Sequence, residues 1–357
     1  MSAKRNYAPF DSALEGENTT REKAKITAAL AAICACAVLY LPGRAETARP
    51  SLTFQFETAN GYKKARVISL PKDFSLGEIA VSSDPNFFSG NTSKHPAQGK
   101  TVVPARQFSS FIPGQRFYVN PSIINTLPSD AFDDLSLSAS SAEESEDAMC
   151  DRALITVGHL RGLISLNLDR SDATDKGARH AADLPNLQRF SSFSAGLDGS
   201  CFKDFAGLQH LRFIAVQSNP IKDENLKYLG DLPQLKYLDL SQTNISDRGI
   251  KGLAKCTGLV QLIISSNHKI SDESIDTLLS LKNLRYLKLQ GTSISTTGLL
   301  RLKSLPLEYL ILPGNNYSPS ALKQLHEALP HAQFEAAAKS HAKAVDEETR
   351  TIYAPLH

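Results

Sequence analysis

Leucines recur at fixed positions over the second half of the chain. The repeated pattern is leucine, two residues, leucine, one residue, leucine, as at Leu235, Leu238 and Leu240. From one first leucine to the next, the copies are 24, 24, 24, 24, 25 and 23 residues apart. The alternation within a copy predicts a short strand with one buried side, and the polar residues after it predict a turn and a helix. The copies begin at Leu163, Leu187, Leu211, Leu235, Leu259, Leu284 and Leu307, and a further copy, Phe132-Leu135-Leu137, stands 31 residues upstream of the first.

A second ladder of apolar residues accompanies the first, three positions before each initial leucine. Together the two ladders concentrate 35 of the 46 leucines between residues 151 and 330. No unit can bury its apolar edge alone, so we predict one stack of units rather than separate globular domains. Cys256 takes a leucine position here and is predicted to be a buried core thiol, as are Cys150 and Cys201 on the helical side. The ladder consists of Leu160, Leu184, Leu208, Leu232, Cys256 and Leu281.

The units at 235–259 (LKYLDLSQTNISDRGIKGLAKCTGL) and 284–305 (LRYLKLQGTSISTTGLLRLKSL) resemble the leucine-rich repeat family. Their short helical part is similar to the ribonuclease-inhibitor-like and cysteine-containing subtype, and residues 325–330 look like the closing segment of many bacterial members that are exported or membrane-anchored. The resemblance implies an α/β solenoid over residues 132–334, with about 8 units, a parallel concave sheet and short convex helices. It implies a fold more than an activity, because such repeats serve many purposes.

Both ends of such a stack need polar caps, because terminal units expose their core. Residues 51–131 contain few leucines and alternate like strands at 52–56, 65–70 and 115–119, so we predict a small β-rich N-terminal module there. After the repeats, the alanine-rich and charged residues 335–350 predict a C-terminal helix, which a tail follows within 335–357.

Residues 26–41 (ITAALAAICACAVLYL) form an uncharged run that follows Arg21, Lys23 and Lys25. This layout is typical of an export segment, so we predict a cytoplasmic part or n-region at 1–25 and a signal anchor or signal peptide at 26–45. An anchored chain would contact the membrane through residues 26–41 and hold the repeats outside the cytoplasm, whereas a cleaved chain would be secreted or periplasmic. Two alternatives stay open, namely lipidation of Cys36 and a buried core helix of an intracellular protein.

The composition describes a soluble globular chain, with 41% hydrophobic residues, 21% charged residues and a net charge of +2. This balance gives no electrostatic footprint for binding nucleic acid. The sequence has no phosphate-binding glycine loop, nucleophile elbow, zinc-protease helix or calcium loop. We therefore predict a protein that is not an enzyme and that uses no cofactor, no metal and no small-molecule substrate.

Because the strands stack in register, equivalent outward positions line up as columns on the concave sheet. The first column is rich in aromatic residues, and these bring a large contact area at low entropic cost, which favours this face as a binding surface for a protein. The alternative is that aromatic residues simply suit strands. The candidate partner-binding residues are Phe213, Tyr237, Asp239, Ile263, Tyr286, Lys288, Tyr309 and Ile311.

The sequence as a whole favours a membrane-anchored or exported scaffold that binds a protein partner through its concave face. On this interpretation, replacing Tyr237, Tyr286 and Tyr309 together by Ala removes partner capture and leaves thermal stability nearly unchanged. Three rivals stay open. The first is an intracellular adaptor of the ubiquitin-ligase substrate-receptor type, although no F-box precedes the repeats. The second is an enzyme with its chemistry in residues 51–131, and the third is a structural envelope protein.

Overall fold

The computed structural model describes residues 65–84, 92–138, 148–314 and 316–335, and all of them belong to one compact unit of the chain. The strands in these ranges are β1 (Arg66–Ser69), β2 (Gly77–Ser82), β3 (Ser93–Pro96), β4 (Lys100–Val103), β5 (Phe108–Pro113), β6 (Asp134–Ser136), β7 (Ser165–Asn167), β8 (Arg189–Ser191), β9 (Phe213–Ala215), β10 (Tyr237–Asp239), β11 (Gln261–Ile263), β12 (Tyr286–Lys288), β13 (Tyr309–Ile311) and β14 (Gln333–Glu335).

One sheet contains twelve of these strands, and from β5 to β14 each strand pairs in parallel with the next one along the chain. The repeat predicts this order, since every unit contributes one strand and returns through its helical side. Leu238 pairs with Ile214 on one side and with Leu262 on the other, so the leucine pattern sets the register. The α/β solenoid expected from the leucine ladders is confirmed, including a strand at the degenerate copy and one at the upstream copy.

The helical side of the units is made of short helical segments of 3 to 10 residues. The second apolar ladder, which follows these segments, is buried, and so are Leu226, Leu253, Leu278 and Leu302 within the segments themselves. Several of these segments are 3₁₀ helices, of 3 to 9 residues. The α-helices are α1 (Gln115–Val119), α2 (Met149–Leu154), α3 (Asp175–Ala178), α4 (Asp247–Gly252), α5 (Ile275–Ser280), α6 (Thr296–Arg301) and α7 (Pro319–Ala328), and the 3₁₀ helices are Pro121–Thr126, Val157–His159, Arg179–Asp183, Ser200–Gly207, Asp223–Asp231, Leu253–Lys255, Asp272–Ser274 and Leu302–Ser304.

Buried asparagines close the turns after the strands. The Asn219 Oδ1 atom accepts hydrogen bonds from the backbone N–H groups of Ala195, Gly196 and Leu197 at 3.0, 2.8 and 3.1 Å. Its Nδ2 atom donates to the Val216 carbonyl at 2.9 Å. Asn267, two units further along the chain, makes the equivalent bonds to the carbonyls of Leu240 and Ile264. Each amide therefore satisfies backbone groups in the turn of the preceding unit as well as in its own turn.

A ladder of aspartates joins successive units on the helical side. The carboxylate of Asp223 accepts from the backbone N–H of Ser246 at 2.9 Å and from its hydroxyl at 2.5 Å. Asp247 accepts from the same two groups of Ser271 at 2.9 and 2.8 Å. Each serine also caps its own helical turn, as expected for this residue type at such positions. We call this series, which includes Asp151 with Thr174 and Asp272 with Ser295, the aspartate ladder.

The N-terminal module continues the repeat sheet instead of forming a separate body. Strand β5 pairs in parallel with β6, and β2 joins β5 and β3 antiparallel. Strands β1 and β4 form a two-stranded ribbon beside this sheet. Arg66 of the ribbon forms an ion pair with Asp133 at 2.6 Å and donates to the Asp130 carbonyl at 2.7 Å, which fixes the ribbon to the first repeat.

One strand prediction in this module is wrong. Residues 115–119 alternate like a strand but form α1, which follows Gly114 and ends before Pro121. Phe117 and Tyr118 are adjacent in sequence and yet both buried, with ring centroids 5.3 Å apart. A strand would have sent them to opposite faces, whereas the turn of helix lets both reach the core, where Phe117 also meets Phe111.

Helix α7 and strand β14 close the last repeat.

Three predictions concern segments outside the described residues. They are the strand at 52–56, the helix within 335–350 and the uncharged run at 26–41. Within residues 65–84, 92–138, 148–314 and 316–335, no helix combines the length and apolar character needed to cross a bilayer.

Candidate functional site

The outer face of the sheet is the face of β6–β14 that points away from the leucine core. The strand register arranges its side chains in two adjacent columns. The first runs through Ser165, Arg189, Phe213, Tyr237, Gln261, Tyr286 and Tyr309, and the second through Asn167, Ser191, Ala215, Asp239, Ile263, Lys288 and Ile311. The eight candidate residues from the sequence therefore lie together on one face.

Apolar side chains on this face form two clusters that are separate from the main core. The upstream cluster consists of Phe213, Ala215, Tyr237 and Ile263, and the downstream cluster of Tyr286, Tyr309 and Ile311, against which Val260 packs. The rings of Phe213 and Tyr237 stack with centroids 4.1 Å apart and planes only 6° from parallel. Over these strands the sheet is thus apolar on both faces.

These side chains are buried rather than exposed. Tyr237 is 1% exposed and Phe213 2%, and the values for Tyr286, Tyr309 and Ile311 are 8 to 9%. Asp239 is also buried, and Lys288 is half-buried. The expectation that the three tyrosines are surface sites whose loss leaves stability unchanged needs correction, because truncating a buried ring costs about 3–5 kcal/mol. Alternation identifies the side of the sheet, but it does not give the burial on that side.

Tyr286 has a polar partner at the edge of the downstream cluster. Its hydroxyl donates to Glu308 Oε2 at 3.0 Å, and Arg285 forms an ion pair with the other oxygen of the same carboxylate at 2.5 Å. Burial, with a further contribution from Glu308, raises the pKa of Tyr286 to about 12. The phenol is therefore protonated at neutral pH and acts as a hydrogen-bond donor.

The upstream end of the outer face is polar and charged. Asp134 lies on β6, Asp169 follows β7, and the buried Arg189 lies on β8 with its guanidinium carbon 4.9 Å from the centroid of the Phe213 ring. Ser110 donates to Asp134 Oδ2 at 2.5 Å, and the Phe193 backbone N–H donates to Asp169 Oδ1 at 2.7 Å. Burial raises the pKa of both carboxyl groups, although these hydrogen bonds and Arg189 act in the opposite direction.

Sequence reasoning missed this acidic end. Asp169 belongs to a third outward position, and Asp134 belongs to the upstream copy, to which the column analysis did not extend. The signal that could have found them is the same register carried one strand further, since Asp134 pairs with Ser165 and Ser165 with Arg189.

The three described cysteines are structural. Cys150, Cys201 and Cys256 are reduced and buried, as predicted for core thiols. Burial raises the pKa of Cys256 to about 12 and that of Cys201 well above its usual range, so neither thiol supplies a thiolate at neutral pH. In the part of the chain that the structure describes, no three side chains of the metal-binding types come together.

Comparison with known proteins agrees with the repeat. A family model described as Leucine Rich repeat matches residues 232–254, which contain β10 and the turns on either side of it. No curated protein matches the chain. Among solved structures, the chain is similar to internalin C2 from Listeria monocytogenes, with 23% identity over 52% of this chain and 74% of that chain and a TM-score of 0.40. The chain thus carries a leucine-rich repeat at 232–254, and the units around it repeat the same strand, turn and helical segment.

Proposed function

We propose that the chain is a non-enzymatic scaffold that binds a protein partner through the outer face of its sheet, by means of the residues Phe213, Tyr237, Asp239, Ile263, Tyr286, Lys288, Tyr309 and Ile311. The observation that carries the proposal is the second apolar layer. A parallel sheet is normally covered on both of its faces, and the leucine core covers one face of this sheet. Here the upstream and downstream clusters place aromatic and branched side chains on that other face.

The chemistry of the face suits a protein better than a small substrate. Tyr286 and Tyr309 are each 8% exposed and Tyr237 only 1%, so the accessible part of this face is the downstream cluster together with the half-buried Lys288 and Gln261. Mixed aromatic and polar surfaces of this kind are typical of protein interfaces. The phenol of Tyr286 is protonated at neutral pH, and the buried thiols stay protonated, so none of these groups offers a nucleophile.

Site-specific photocrosslinking in the native host tests the proposal. A benzophenone amino acid replaces Gln261 or Lys288, which are half-buried on the outer face, and Lys251, which is exposed on α4, serves as the matched control. We expect the first two positions to cross-link the same protein and Lys251 to leave it unlabelled. Labelling of that protein from Lys251 alone, or no labelled protein from the outer face, would overturn the proposal.

We further propose export of the chain through residues 26–45, with the repeats outside the cytoplasm. The support is the uncharged run at 26–41 after three basic residues, a layout typical of signal peptides and signal anchors. The short helical turns and the Cys256 ladder position likewise support the cysteine-containing or ribonuclease-inhibitor-like subtype. Cell fractionation separates export from the adaptor alternative, because an adaptor would stay in the cytosol and would be protected from protease added to intact cells.

A further inference from the structure

The upstream cluster is more deeply buried than its position on a sheet face explains. Phe213, Ala215, Tyr237 and Ile263 are 1–3% exposed, although they point away from the leucine core. Neighbours on adjacent strands shield the sides of such a side chain, as the ring of Phe213 does for that of Tyr237. They do not shield its outer end, because side chains stand roughly perpendicular to the sheet and only atoms above the sheet reach that end.

The described residues do not supply this cover. All members of the upstream and downstream clusters lie on β9–β13, apart from Val260, which directly precedes β11. The helical segments that connect consecutive strands pack on the opposite face, in the leucine core. Within residues 65–84, 92–138, 148–314 and 316–335, neither cluster includes an apolar side chain from a segment that crosses the outer face. A further apolar layer is therefore needed above the upstream cluster.

We propose that residues 352–356 (IYAPL) of the same chain lie on the upstream cluster in the free protein, linked to the sheet by residues 336–351. Both segments lie outside the described residues. Ile352, Tyr353 and Leu356 match an apolar and aromatic seat, and the tyrosine ring would extend the aromatic stack of the cluster. The proline restricts the unbound segment, which lowers the entropic cost of docking.

The place where the chain leaves the sheet favours this occupant. Gln333 and Glu335 of β14 pair with Tyr309 and Ile311, so the chain continues from the downstream end of the outer face. Adjacent strands lie about 4.8 Å apart, which puts β10 about 19 Å from β14 across the sheet. Residues 336–351 would span about 24 Å even as a helix, so the segment that follows them can reach β10.

Docking of the chain's own segment would make the outer face self-inhibited. That the segment competes with a partner rests on the proposed function, whereas the docking itself does not. A tethered segment acts at an effective concentration of roughly millimolar, so it stays bound even when its own affinity is weak. A partner then has to displace it to reach Phe213 and Tyr237. The downstream cluster, with the half-buried Gln261 and Lys288, remains open for the first contact.

Photocrosslinking within the purified full chain tests the docking. A benzophenone amino acid replaces Tyr353, and mass spectrometry locates the residues to which it cross-links. We expect cross-links to β9–β11 within one molecule, in a yield that does not change with protein concentration. The same amino acid at Ser340, in the linking residues, is the matched control and should label neither β9 nor β10. Cross-links from Tyr353 to another part of the chain, cross-links between two copies, or none would overturn the proposal.

A free peptide with the sequence of residues 351–356 tests the occupancy of the face in a second way. The full-length variant I352S/Y353S/L356S should leave the upstream cluster vacant, whereas the control K339S/K343S keeps the apolar segment. We expect the labelled peptide to bind I352S/Y353S/L356S at least tenfold more tightly than wild type or the control, because the tethered segment no longer competes. Equal affinity for the three proteins, or no binding to the first, would contradict the docking.

Failure of this inference is distinguishable from failure of the proposed function. A protein cross-linked from Gln261 or Lys288, but captured equally by wild type and I352S/Y353S/L356S, would leave the proposed function standing and remove the competition. A docked segment, with no protein cross-linked from the outer face even in I352S/Y353S/L356S, would leave the docking standing and remove the proposed function. The inference expects stronger capture by the variant.

Discussion

Asp169 shows how a single partly buried side chain can lower the stability of the folded protein. Its carboxyl group is partly buried and accepts from the Phe193 N–H at 2.7 Å, and burial raises its pKa despite this hydrogen bond and those from Ser191 and Asn167. An acid whose pKa is higher in the folded state than in the unfolded state lowers the free energy of unfolding once the pH exceeds the folded-state pKa. Below the unfolded-state pKa this destabilisation disappears, because both states are then protonated.

Asp169→Asn should therefore raise the free energy of unfolding at pH 7, since the amide keeps an oxygen for the Phe193 N–H and carries no charge. The gain should shrink as the pH falls toward 4, where the wild-type carboxyl group becomes protonated in the folded state. Urea denaturation at a series of pH values measures both effects. The matched control Asp231→Asn, at an exposed carboxylate, should change stability by no more than about 0.5 kcal/mol over the same pH range. A variant less stable than wild type at pH 7 would contradict this account of Asp169.

At the scale of the element, the aspartate ladder explains which residues the helical turns can contain. The carboxylate of one unit occupies the space beside the first turn of the next unit. Gly177, Gly249 and Gly298 stand there, and a methyl group on any of them would fall well inside van der Waals contact with Asp151, Asp223 and Asp272 in turn. The Asp of one unit and the Gly of the next unit therefore recur together, because the carboxylate needs the space that the missing side chain leaves.

Gly249→Ala should lower the free energy of unfolding by about 1–3 kcal/mol, because the methyl group overpacks the joint between two units. Gly207→Ala is the matched control. It changes a glycine in another helical turn, where an added methyl group meets no other heavy atom within 4 Å, and it should be neutral or slightly stabilising. Urea denaturation of the two variants decides the point, and equal midpoints would show that the space beside Asp223 is not restricted.

The elements of the repeat were predictable from sequence, because the same pattern recurs in every unit and an error in one copy is corrected by the next. Leu235, Leu238 and Leu240 fix a strand, and Ser246 fixes the start of a helical turn. Residues 115–119 occur once, without such support, and alternation alone predicted a strand where α1 stands. The aspartate ladder was also missed, since its bonds cross from one unit to the next.

At the scale of the whole molecule, one buried ion pair joins the N-terminal ribbon to the repeats, in addition to the packing of Ile68 and Val103 in the main core. The side chain of Asp133 is 1% exposed and that of Arg66 10%. Arg66 also donates to the Asp130 carbonyl at 2.7 Å, and Asp133 accepts from the Ser109 N–H at 2.9 Å. These contacts join β1, β5 and the first repeat at a single point.

Arg66→Met should destabilise the protein by about 3–5 kcal/mol, because it leaves the Asp133 carboxylate buried without a cation. Hydrogen exchange should show the largest loss of protection in β1 and β4. Adding Asp133→Asn to the same chain should recover part of the loss. The exposed pair Lys94–Glu78 is the control, and Lys94→Met should cost less than about 1 kcal/mol. If both single variants cost the same, Arg66 does not hold the ribbon in the way described.

The location of the candidate site could also be predicted at this scale, but the burial of its side chains and its acidic end could not. A period of about 24 residues aligns Phe213 with Tyr237 and Tyr286 with Tyr309, so the columns follow from arithmetic. The burial of those rings could not be predicted, because the alternation of a strand gives the face on which a side chain lies and not its exposed fraction. The acidic end combines residues of three strands, and only the paired structure brings Asp134, Asp169 and Arg189 together.

The aspartate ladder has a consequence for how such a chain can grow. Asp223 and Asp247 make the same bonds to the serine that follows in the next unit. A duplicated segment 235–258 would therefore meet the original at a joint where the acceptor, Asp247, and the donor, Ser246, already match. Thr296 stands where the last aspartate would be, so a unit added after α6 would lack that bond. Duplication of whole units within the stack therefore preserves these bonds, so the length of the stack can change by one repeat at a time.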